Sequence, residues 1–300
     1  MERELVSRLK ILITGASGLV GSRLVESAIH TGHETVAVCN QHDAKFGKVY
    51  HVDLTRNDDL RNVVKQVSPD VVVHSAAVTD VDLCERDPRI AILINATSTR
   101  ILAEECAKLG FHLIYVSTDY VFDGENSDYR ENDRTNPVNA YGLSKLAGET
   151  AVQAASSSFC VARTSVVYGW GREFRPNFAT VIYNELKAGR SVKVVNDQFA
   201  SPTLNSQLAR MLLEIAEKRV PGIIHLAGAV RLSRYELAQG IARTFHVQSE
   251  LVVPISAQSS SWKAKRPRDS SLNVEKAKIL LANKPATLEE ALTEFAKHTD

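Results

Sequence analysis

Residues 10–30 read KILITGASGLVGSRLVESAIH, an apolar run that passes through a glycine-rich turn into a helical pattern. The run KILIT (10–14) is typical of a buried strand, and GLVGSRLVESAIH (18–30) has helical periodicity. Between them, Gly15, Gly18 and Gly21 recur at every third position. Glycine lets the backbone turn tightly and approach a pyrophosphate, which the free N–H groups of a helix N-terminus can bind. The stretch predicts a dinucleotide-binding turn, with a purely structural turn as the alternative.

The first half of the chain continues this alternation of strands and helices. Further strands are predicted at ETVAVC (34–39), VYHV (49–52), DVVVH (70–74), FHLIYV (111–116) and FCVART (159–164). One predicted helix carries Leu60, Val63, Val64 and Val67 on one face, and a long one covers 88–109 and ends at Gly110. The pattern is typical of an α/β fold with a doubly wound parallel sheet of Rossmann type. Such sheets bind ligands at the carboxyl ends of their strands.

The second half of the chain is less regular. It contains predicted helices near 176–188 and 204–217, a strand at GIIHLAG (222–228), and two capping boxes, at Ser233 with Glu236 and Thr287 with Glu290. We therefore predict a dinucleotide-binding domain made of residues 1–165 and 203–230. Residues 166–202 and 231–300 are predicted to form a smaller, mixed C-terminal lobe that binds the substrate.

Composition excludes several classes of partner. The 300 residues include 36 Lys and Arg against 35 Asp and Glu, so the formal net charge is only +1. This balance favours neither nucleic acid nor an anionic membrane, and no apolar run is long enough to span a bilayer. The charged N-terminus MERELVSRLK lacks the apolar stretch of a signal peptide, and the four cysteines are scattered without metal-ligand spacing. We expect a cytoplasmic protein with reduced thiols, and no nucleic-acid or membrane partner.

Residues at two further strand ends extend the predicted cofactor site. Asp53 follows the strand VYHV, where its carboxylate can accept a hydrogen bond from an adenine amino group. Capping of the helix that begins near Asn57 is the alternative role for Asp53. The residues Ala76, Ala77 and Val78 follow DVVVH and are small enough for a flat cofactor to lie against them.

The loop after the second strand, CNQH (39–42), bears on the choice between NADP and NAD. It has neither the acidic residue that favours NAD nor an arginine for the phosphate of NADP. The nearest groups able to meet a 2′-phosphate are His42, Lys45 and Lys48, and no carboxylate at position 39 or 40 repels it. We expect NADPH as the cofactor, with NADH possible.

Polar residues at the end of the strand FHLIYV suggest catalysis. The stretch STDYVFDG (117–124) follows this strand, and YGLSK (141–145) places Tyr141 and Lys145 one helical turn apart. Reduction of a ketone by hydride produces an alkoxide that needs a proton, which a tyrosine of lowered pKa can donate. A nearby ammonium group stabilises the tyrosinate and can hold the nicotinamide ribose, and the Thr118 hydroxyl can orient the carbonyl.

A second pair with the same spacing, Tyr183 and Lys187, provides an internal comparison. It lies on a predicted helix with an apolar face that includes Phe178, Ile182 and Leu186, and no polar strand end points to it. We interpret this second pair as structural.

Together these motifs resemble an extended short-chain dehydrogenase/reductase, and within that group the dTDP-4-dehydrorhamnose reductase family. The resemblance covers nearly the full length through TGASGLVG, HSAAVTDVDLCE, STDYVFDG, NPVNAYGLSKLAGE, ARTSVVYGWG, NDQFASPT and KRPRDSSLN. It implies a reductase that uses NAD(P)H to transfer hydride to the 4-keto group of a nucleotide-linked deoxysugar. We expect such an enzyme to be a monomer or a weak homodimer.

The family resemblance implies three sets of site residues. The catalytic set is Thr118, Tyr141 and Lys145. The cofactor set adds to Tyr141 and Lys145 the residues Gly15, Ser17, Gly18, Leu19, Val20, Gly21, Asp53, Leu54, Ala76, Ala77, Val78 and Asn95. The substrate set is Thr118, Asp119, Tyr120, Phe178, Gln198 and Arg266. Arg266 is expected to pair with the substrate phosphates, and a helix cap or an ion pair with Asp269 is the alternative.

Two departures from related families narrow the function. Some relatives bind a divalent metal through acidic residues, one of them two positions after the third glycine; Arg23 occupies that position here, so we expect no metal. A sugar-nucleotide 4,6-dehydratase needs a glutamate where this chain has Tyr120. The regulatory beta subunit of methionine adenosyltransferase shares the fold and the Tyr-x-x-x-Lys pair. A non-catalytic, NADP-binding regulatory subunit is therefore the alternative function.

Overall fold

The computed structural model describes residues 8–155, 158–171 and 176–297. Its strands are β1 (Lys10–Thr14), β2 (Glu34–Cys39), β3 (Lys48–His51), β4 (Val71–His74), β5 (His112–Thr118), β6 (Phe159–Thr164), β7 (Val167–Tyr168), β8 (Val192–Val195), β9 (Phe199–Ala200), β10 (Thr203–Leu204), β11 (Gly222–His225), β12 (Leu232–Ser233) and β13 (Val252–Ile255). Its α-helices are α1 (Gly21–His30), α2 (Asn57–Val67), α3 (Val81–Arg86), α4 (Pro88–Ile92), α5 (Ser98–Leu109), α6 (Ala140–Ala155), α7 (Phe178–Lys187), α8 (Asn205–Lys218), α9 (Arg234–Thr244), α10 (Glu275–Leu280) and α11 (Leu288–Ala296). None of these helices is long and apolar enough to cross a membrane.

Seven parallel strands form the central sheet, in the order β11-β6-β5-β4-β1-β2-β3. The direction of chain progression reverses between β1 and β4, because β2 and β3 extend one side of the sheet and β5, β6 and β11 the other. Such a switch point opens a crevice at the carboxyl ends of the strands, where ligands bind. The predicted α/β fold with a doubly wound parallel sheet is confirmed.

Apolar side chains cover both faces of this sheet. Helices α1 and α8 pack on one face, around side chains such as Ile13 and Leu24. Helices α2, α5 and α6 cover the other face, around Leu102 and Tyr115. Each fully buried side chain of this size contributes about 1.5–3 kcal/mol relative to its exposed state. The two apolar layers hold the strand ends in place at the edge where the site lies.

A third apolar cluster lies in the second half of the chain and is built mainly from α7, α9 and α11. Its Phe295 ring contacts Trp170 and Tyr168, with centroids 4.8 and 5.8 Å away. Both predicted capping boxes are present, at the starts of α9 and α11. The cluster gives the second half a core of its own, and the division into 1–165 with 203–230 and 166–202 with 231–300 stays a prediction.

The long helix predicted over 88–109 is divided. A π turn, Leu93–Thr97, separates α4 from α5. The wider turn lets the Asn95 side chain reach the backbone of Val78. The Asn95 backbone carbonyl accepts hydrogen bonds from the hydroxyls of Tyr115 and Thr99. Helix α5 ends at Gly110 with a φ of +77°, as predicted for a C-terminal cap.

Candidate active site

A cavity of about 620 Å³ lies at the carboxyl edge of the sheet, beside the switch point between β1 and β4. Its walls are the loop after β1, the ends of β2, β4, β5 and β6, and the first turns of α6. All three predicted catalytic residues line it, and so does the predicted cofactor set with the exception of Asn95. Clefts of this volume hold cofactors and small ligands. The arrangement brings the glycine loop and the Tyr-x-x-x-Lys pair, which are more than 100 residues apart in the sequence, into one cavity.

The turn between β1 and α1 requires glycine at two positions. Gly15 has a φ of +66°, and a Cβ there would lie 2.8 Å from the backbone of Ala76. A Cβ on Gly21 would lie 2.2 Å from the Gly15 carbonyl oxygen, well inside van der Waals contact. The Gly18 N–H donates to the same carbonyl at 2.8 Å and closes the turn. The loop therefore brings bare backbone and the start of α1 to the cavity, as pyrophosphate binding needs.

Asp53 lines the cavity and is held in a local turn. Its carboxylate accepts hydrogen bonds from the Thr55 N–H at 2.9 Å and the Thr55 hydroxyl at 2.8 Å. These bonds lower the pKa of Asp53, so the carboxylate is charged at neutral pH. The cap position of α2 belongs to Arg56, so Asp53 does not cap that helix. One carboxylate oxygen stays available to a ligand in the cavity.

Asn95 lies behind the cavity wall instead of in it. The side chain is fully buried, accepts from the Val78 N–H at 2.8 Å and donates to the Val78 carbonyl at 3.0 Å. It also donates to the Ser144 hydroxyl at 3.0 Å. Asn95 thereby joins the segment after β4 to helix α6, and its contribution to a cofactor site is to position Val78.

Lys145 is buried on the second turn of α6, one helical turn after Tyr141. Its ammonium donates to the Val116 carbonyl at 2.7 Å and lies 4.1 Å from the centre of the Tyr115 ring. Burial lowers the pKa of Lys145 to about 7, and the charge of Glu149 opposes this effect. A lysine in this state exchanges its proton near neutral pH, which suits a group that assists proton transfer.

Tyr141 lies at the start of α6 and faces the cavity. Burial raises the pKa of its phenol, and a contact with the Thr118 hydroxyl opposes this only in part. The lowered pKa expected from the sequence is therefore wrong for this structure. The phenol is neutral at physiological pH, and the neutral form is the one that can donate a proton.

Thr118 and Asp119 are bound to one another at the end of β5. The Thr118 hydroxyl donates to the Asp119 carboxylate at 3.0 Å and accepts from the Tyr120 N–H at 3.2 Å. Asp119 also accepts from the hydroxyls of Ser165 at 2.7 Å and Ser270 at 2.5 Å, and burial raises its pKa. Asp119 thus joins the end of β5 to the C-terminal segment, and its carboxylate is largely engaged within the protein.

Three residues of the predicted substrate set do not line the cavity. Phe178, Gln198 and Arg266 are all partly or fully buried nearby and contact other side chains instead. Gln198 donates to the Tyr120 hydroxyl at 3.2 Å, and Arg266 forms an ion pair with Asp82 at 3.0 Å. The alternative partner expected for Arg266, Asp269, pairs with Arg231 at 2.6 Å.

Several cavity residues were not expected from the sequence, among them Thr164, Val166 and Arg234. Thr164 lies beside Thr118 across β5 and β6, is 7% exposed, and its hydroxyl has no hydrogen-bond partner in the described part of the chain. Val166 has a φ of +35°, a strained conformation for a β-branched residue. A polar residue at a strand end is the signal that marks Thr118, and it could have found Thr164. The other two leave no mark in the sequence.

The second Tyr-x-x-x-Lys pair lies away from the cavity. The Tyr183 ring packs against Trp170 and Phe245, with centroids 5.6 and 4.4 Å apart. The Lys187 ammonium lies over the same ring at 5.4 Å. Neither residue lines the cavity, so the spacing alone does not create a site.

Comparison with known proteins adds to this geometry. The family model described as the RmlD substrate binding domain matches residues 9–300. A dTDP-4-dehydrorhamnose reductase of Mycolicibacterium smegmatis is 37% identical over 274 residues, which is 89% of this chain and 79% of that protein. The methionine adenosyltransferase 2 subunit beta of Bos taurus is 33% identical over 277 residues, which is 90% of this chain and 82% of that protein. The structure of dTDP-4-dehydrorhamnose reductase from Bacillus anthracis in complex with NADP is 28% identical, with a TM-score of 0.84, and the match covers 97% of this chain and 100% of that one.

Proposed function

The chain belongs to the RmlD substrate binding domain family, and we propose that it is an NADPH-dependent reductase that transfers hydride to the 4-keto group of a nucleotide-linked deoxysugar. One observation carries the proposal: Thr118, Tyr141 and Lys145 line the same cavity as the glycine loop. A cofactor with its pyrophosphate at that loop can extend along the sheet edge to the catalytic residues. The reductases among its relatives support the same reading, and the cytoplasm is the compartment we propose.

The cavity residues fit a nicotinamide dinucleotide. The glycine turn presents backbone to a pyrophosphate, and Asp53 can accept from an adenine amino group. At the other end, the buried hydroxyl of Thr164 lacks a partner among the described residues and is available to a ligand. When bound, the reduced nicotinamide supplies the hydride. NADPH is the cofactor we propose, and one relative was solved with NADP.

The protein's own residues would handle the proton. Tyr141, neutral because burial raises its pKa, donates its proton to the oxygen of the reduced ketone. Lys145, whose pKa of about 7 allows it to carry a charge, stabilises the phenolate that remains. The Thr118 hydroxyl, which donates to Asp119 at 3.0 Å, orients the carbonyl by turning its proton from Asp119 to the ketone oxygen.

The direct test is NADPH oxidation, followed at 340 nm, against a panel of 4-keto-6-deoxy nucleotide sugars with different bases and stereochemistry. We expect turnover with at least one member that is lost when the keto group is absent. Parallel assays with NADH give the cofactor preference. No oxidation with any member, by a protein that binds NADPH, would reject the reductase proposal.

The similarity to methionine adenosyltransferase 2 subunit beta favours one second candidate, an NADP-binding regulatory subunit. A regulatory subunit can keep the same cofactor cavity, so the presence of Tyr141 and Lys145 does not separate the two. Co-purification with a methionine adenosyltransferase catalytic subunit tests this candidate. A stable complex that changes the synthetase rate, together with no sugar turnover, would favour regulation over reduction.

A further inference from the structure

Arg266, expected from the sequence to meet the substrate phosphates, is already paired with a carboxylate. Its Nη2 lies 3.0 Å from Asp82 Oδ1, and its Nη1 donates to the Ala264 carbonyl at 3.2 Å. The Arg266 side chain is only 11% exposed, and it does not line the cavity. A diphosphate that took Arg266 would have to leave Asp82 without its partner, which is costly for a partly buried charge.

Arg234 is the arginine that lines the cavity. It begins α9, and its Nε donates to Gln198 Oε1 at 2.7 Å. The guanidinium lies near two aromatic rings, 5.4 Å from the centre of Phe178 and 5.8 Å from that of Trp262. These contacts orient the group, and no carboxylate within 8–155, 158–171 and 176–297 pairs with it. Its terminal N–H groups are therefore available to an anion.

The other charged side chains that line the cavity do not pair with Arg234. The carboxylates that line the cavity are Asp53, at the end of β3, and Asp119, which accepts three hydroxyl hydrogen bonds. Lys145 is the other Lys or Arg among the described lining residues, and its ammonium donates to the Val116 carbonyl at 2.7 Å. Arg234 thus gives the substrate side of the cavity a positive charge that no lining carboxylate neutralises by direct contact.

Two side chains connect Arg234 to the predicted proton donor. Gln198, which accepts from Arg234, donates to the Tyr120 hydroxyl at 3.2 Å. The Tyr120 ring meets the Tyr141 ring edge-on, with centroids 5.9 Å apart. In a pyranose, C4 and C1 lie on opposite sides of the ring. A sugar with its ketone at Tyr141 therefore directs its anomeric phosphate away from the proton donor, and Arg234 is the arginine of the same cavity that can meet it.

Building on the proposed reductase function, we infer that Arg234, and not Arg266, binds the diphosphate of the nucleotide-sugar substrate. A guanidinium offers two parallel N–H donors to a phosphate, and a lysine offers only a point charge. Gln198, Phe178 and Trp262 act as positioning residues for this arginine. This role accounts for the location of Phe178 and Gln198 behind the cavity wall.

Calorimetric titration of the NADP⁺-saturated protein with dTDP, and separately with inorganic pyrophosphate, tests the inference. Saturation with NADP⁺ keeps both probes away from the glycine loop. We expect Arg234→Ala to weaken dTDP binding by about tenfold or more, the effect of one lost charge-assisted contact, and Arg234→Lys to recover part of it. Arg243→Ala is the matched control, because Arg243 is exposed on the same helix and its loss changes the net charge equally.

The variants also distinguish the assignment of Arg234 to the substrate diphosphate from the proposed reductase function. Arg266→Ala should change the Kd for dTDP by less than Arg234→Ala does, and the Kd for NADP⁺ should stay unchanged in each variant, which reports intact folding. Arg234→Gln replaces Arg234→Ala if the alanine variant fails this check. Unchanged dTDP affinity in the folded Arg234 variant, an equal loss in Arg243→Ala, or no binding of either probe by the wild type would overturn the inference. Wild-type turnover of a 4-keto sugar is measured separately, so failure of the arginine assignment and failure of the reductase proposal give different results.

Discussion

Replacement of Lys145 by methionine should stabilise the fold while abolishing turnover. Lys145 is 2% exposed, and burial lowers the pKa of its ammonium from 10.5 to about 7. A pKa difference of this size corresponds to about 5 kcal/mol that the native state loses by holding the charge. Lys145→Met removes this cost, but it also removes the donor to the Val116 carbonyl, which costs about 1–3 kcal/mol. We expect a net gain of about 2–4 kcal/mol in the free energy of unfolding at pH 7.

The gain should depend on pH in a defined direction. Between the native pKa of about 7 and the unfolded pKa of 10.5, the unfolded wild type holds a proton that the native state does not, so wild-type stability rises with pH. The advantage of Lys145→Met is therefore largest at and below pH 7, and it falls by about 1.4 kcal/mol per pH unit above it.

Urea unfolding from pH 6 to pH 9.5 measures this difference. Lys187→Met is the matched control, because Lys187 has the same spacing from a tyrosine but is exposed and lies outside the cavity. The control should differ little from the wild type at any pH. A destabilised Lys145→Met protein, or a stability difference that does not vary with pH, would refute the reasoning that Lys145 is held at a cost to the fold.

Three further predictions concern the cofactor half of the cavity. Thr164→Val should leave the protein equally stable or more stable by about 1 kcal/mol, because the buried hydroxyl has no partner in the described chain. The same change should weaken NADPH binding. Urea unfolding measures the first effect and fluorescence titration the second, and a large loss of stability would contradict the assignment. Gly21→Ala should cost about 1–3 kcal/mol of stability, since its Cβ would lie 2.2 Å from the Gly15 carbonyl oxygen, and should raise the Kd for NADPH; an unchanged Kd would place the pyrophosphate elsewhere. Wild-type kcat/KM should be higher with NADPH than with NADH, because no acidic residue follows β2 at position 39 or 40, and a preference for NADH above about tenfold would contradict this expectation.

The strands and helices of the central sheet were predictable because the local sequence pattern and the final fold favour the same structure there. The runs ETVAVC and FCVART form β2 and β6 with the predicted bounds, since short runs rich in apolar and β-branched residues buried on both faces have few other structures open to them. Gly110 ends α5 because its φ of +77° is one that side chains rarely adopt. The break at Leu93–Thr97 was not predictable, because it depends on the contact of Asn95 with Val78, which is set by tertiary packing.

The candidate site also contains residues that the sequence identified and residues that it could not identify. Tyr141, Lys145 and the glycine loop were identified because their chemistry depends on spacing within one element. The pairing of Arg266 with Asp82 joins residues that are distant in the sequence, as does the contact of Arg234 with Gln198. No local pattern reports such pairs, so the sequence could not show which arginine faces the cavity. The raised pKa of Tyr141 likewise follows from burial, which only the fold determines.

The most direct test of the proton-donor assignment compares Tyr141→Phe with Tyr183→Phe in the NADPH oxidation assay. Each change removes one hydroxyl from a tyrosine four residues before a lysine, but only Tyr141 lines the cavity. With a 4-keto-6-deoxy nucleotide sugar as substrate, Tyr141→Phe should lower kcat by about 10²-fold or more, with little change in the Kd for NADPH. Tyr183→Phe should retain nearly normal turnover. Near-normal turnover by Tyr141→Phe, or an equal loss in a folded Tyr183→Phe protein, would contradict the assignment of Tyr141 as the proton donor.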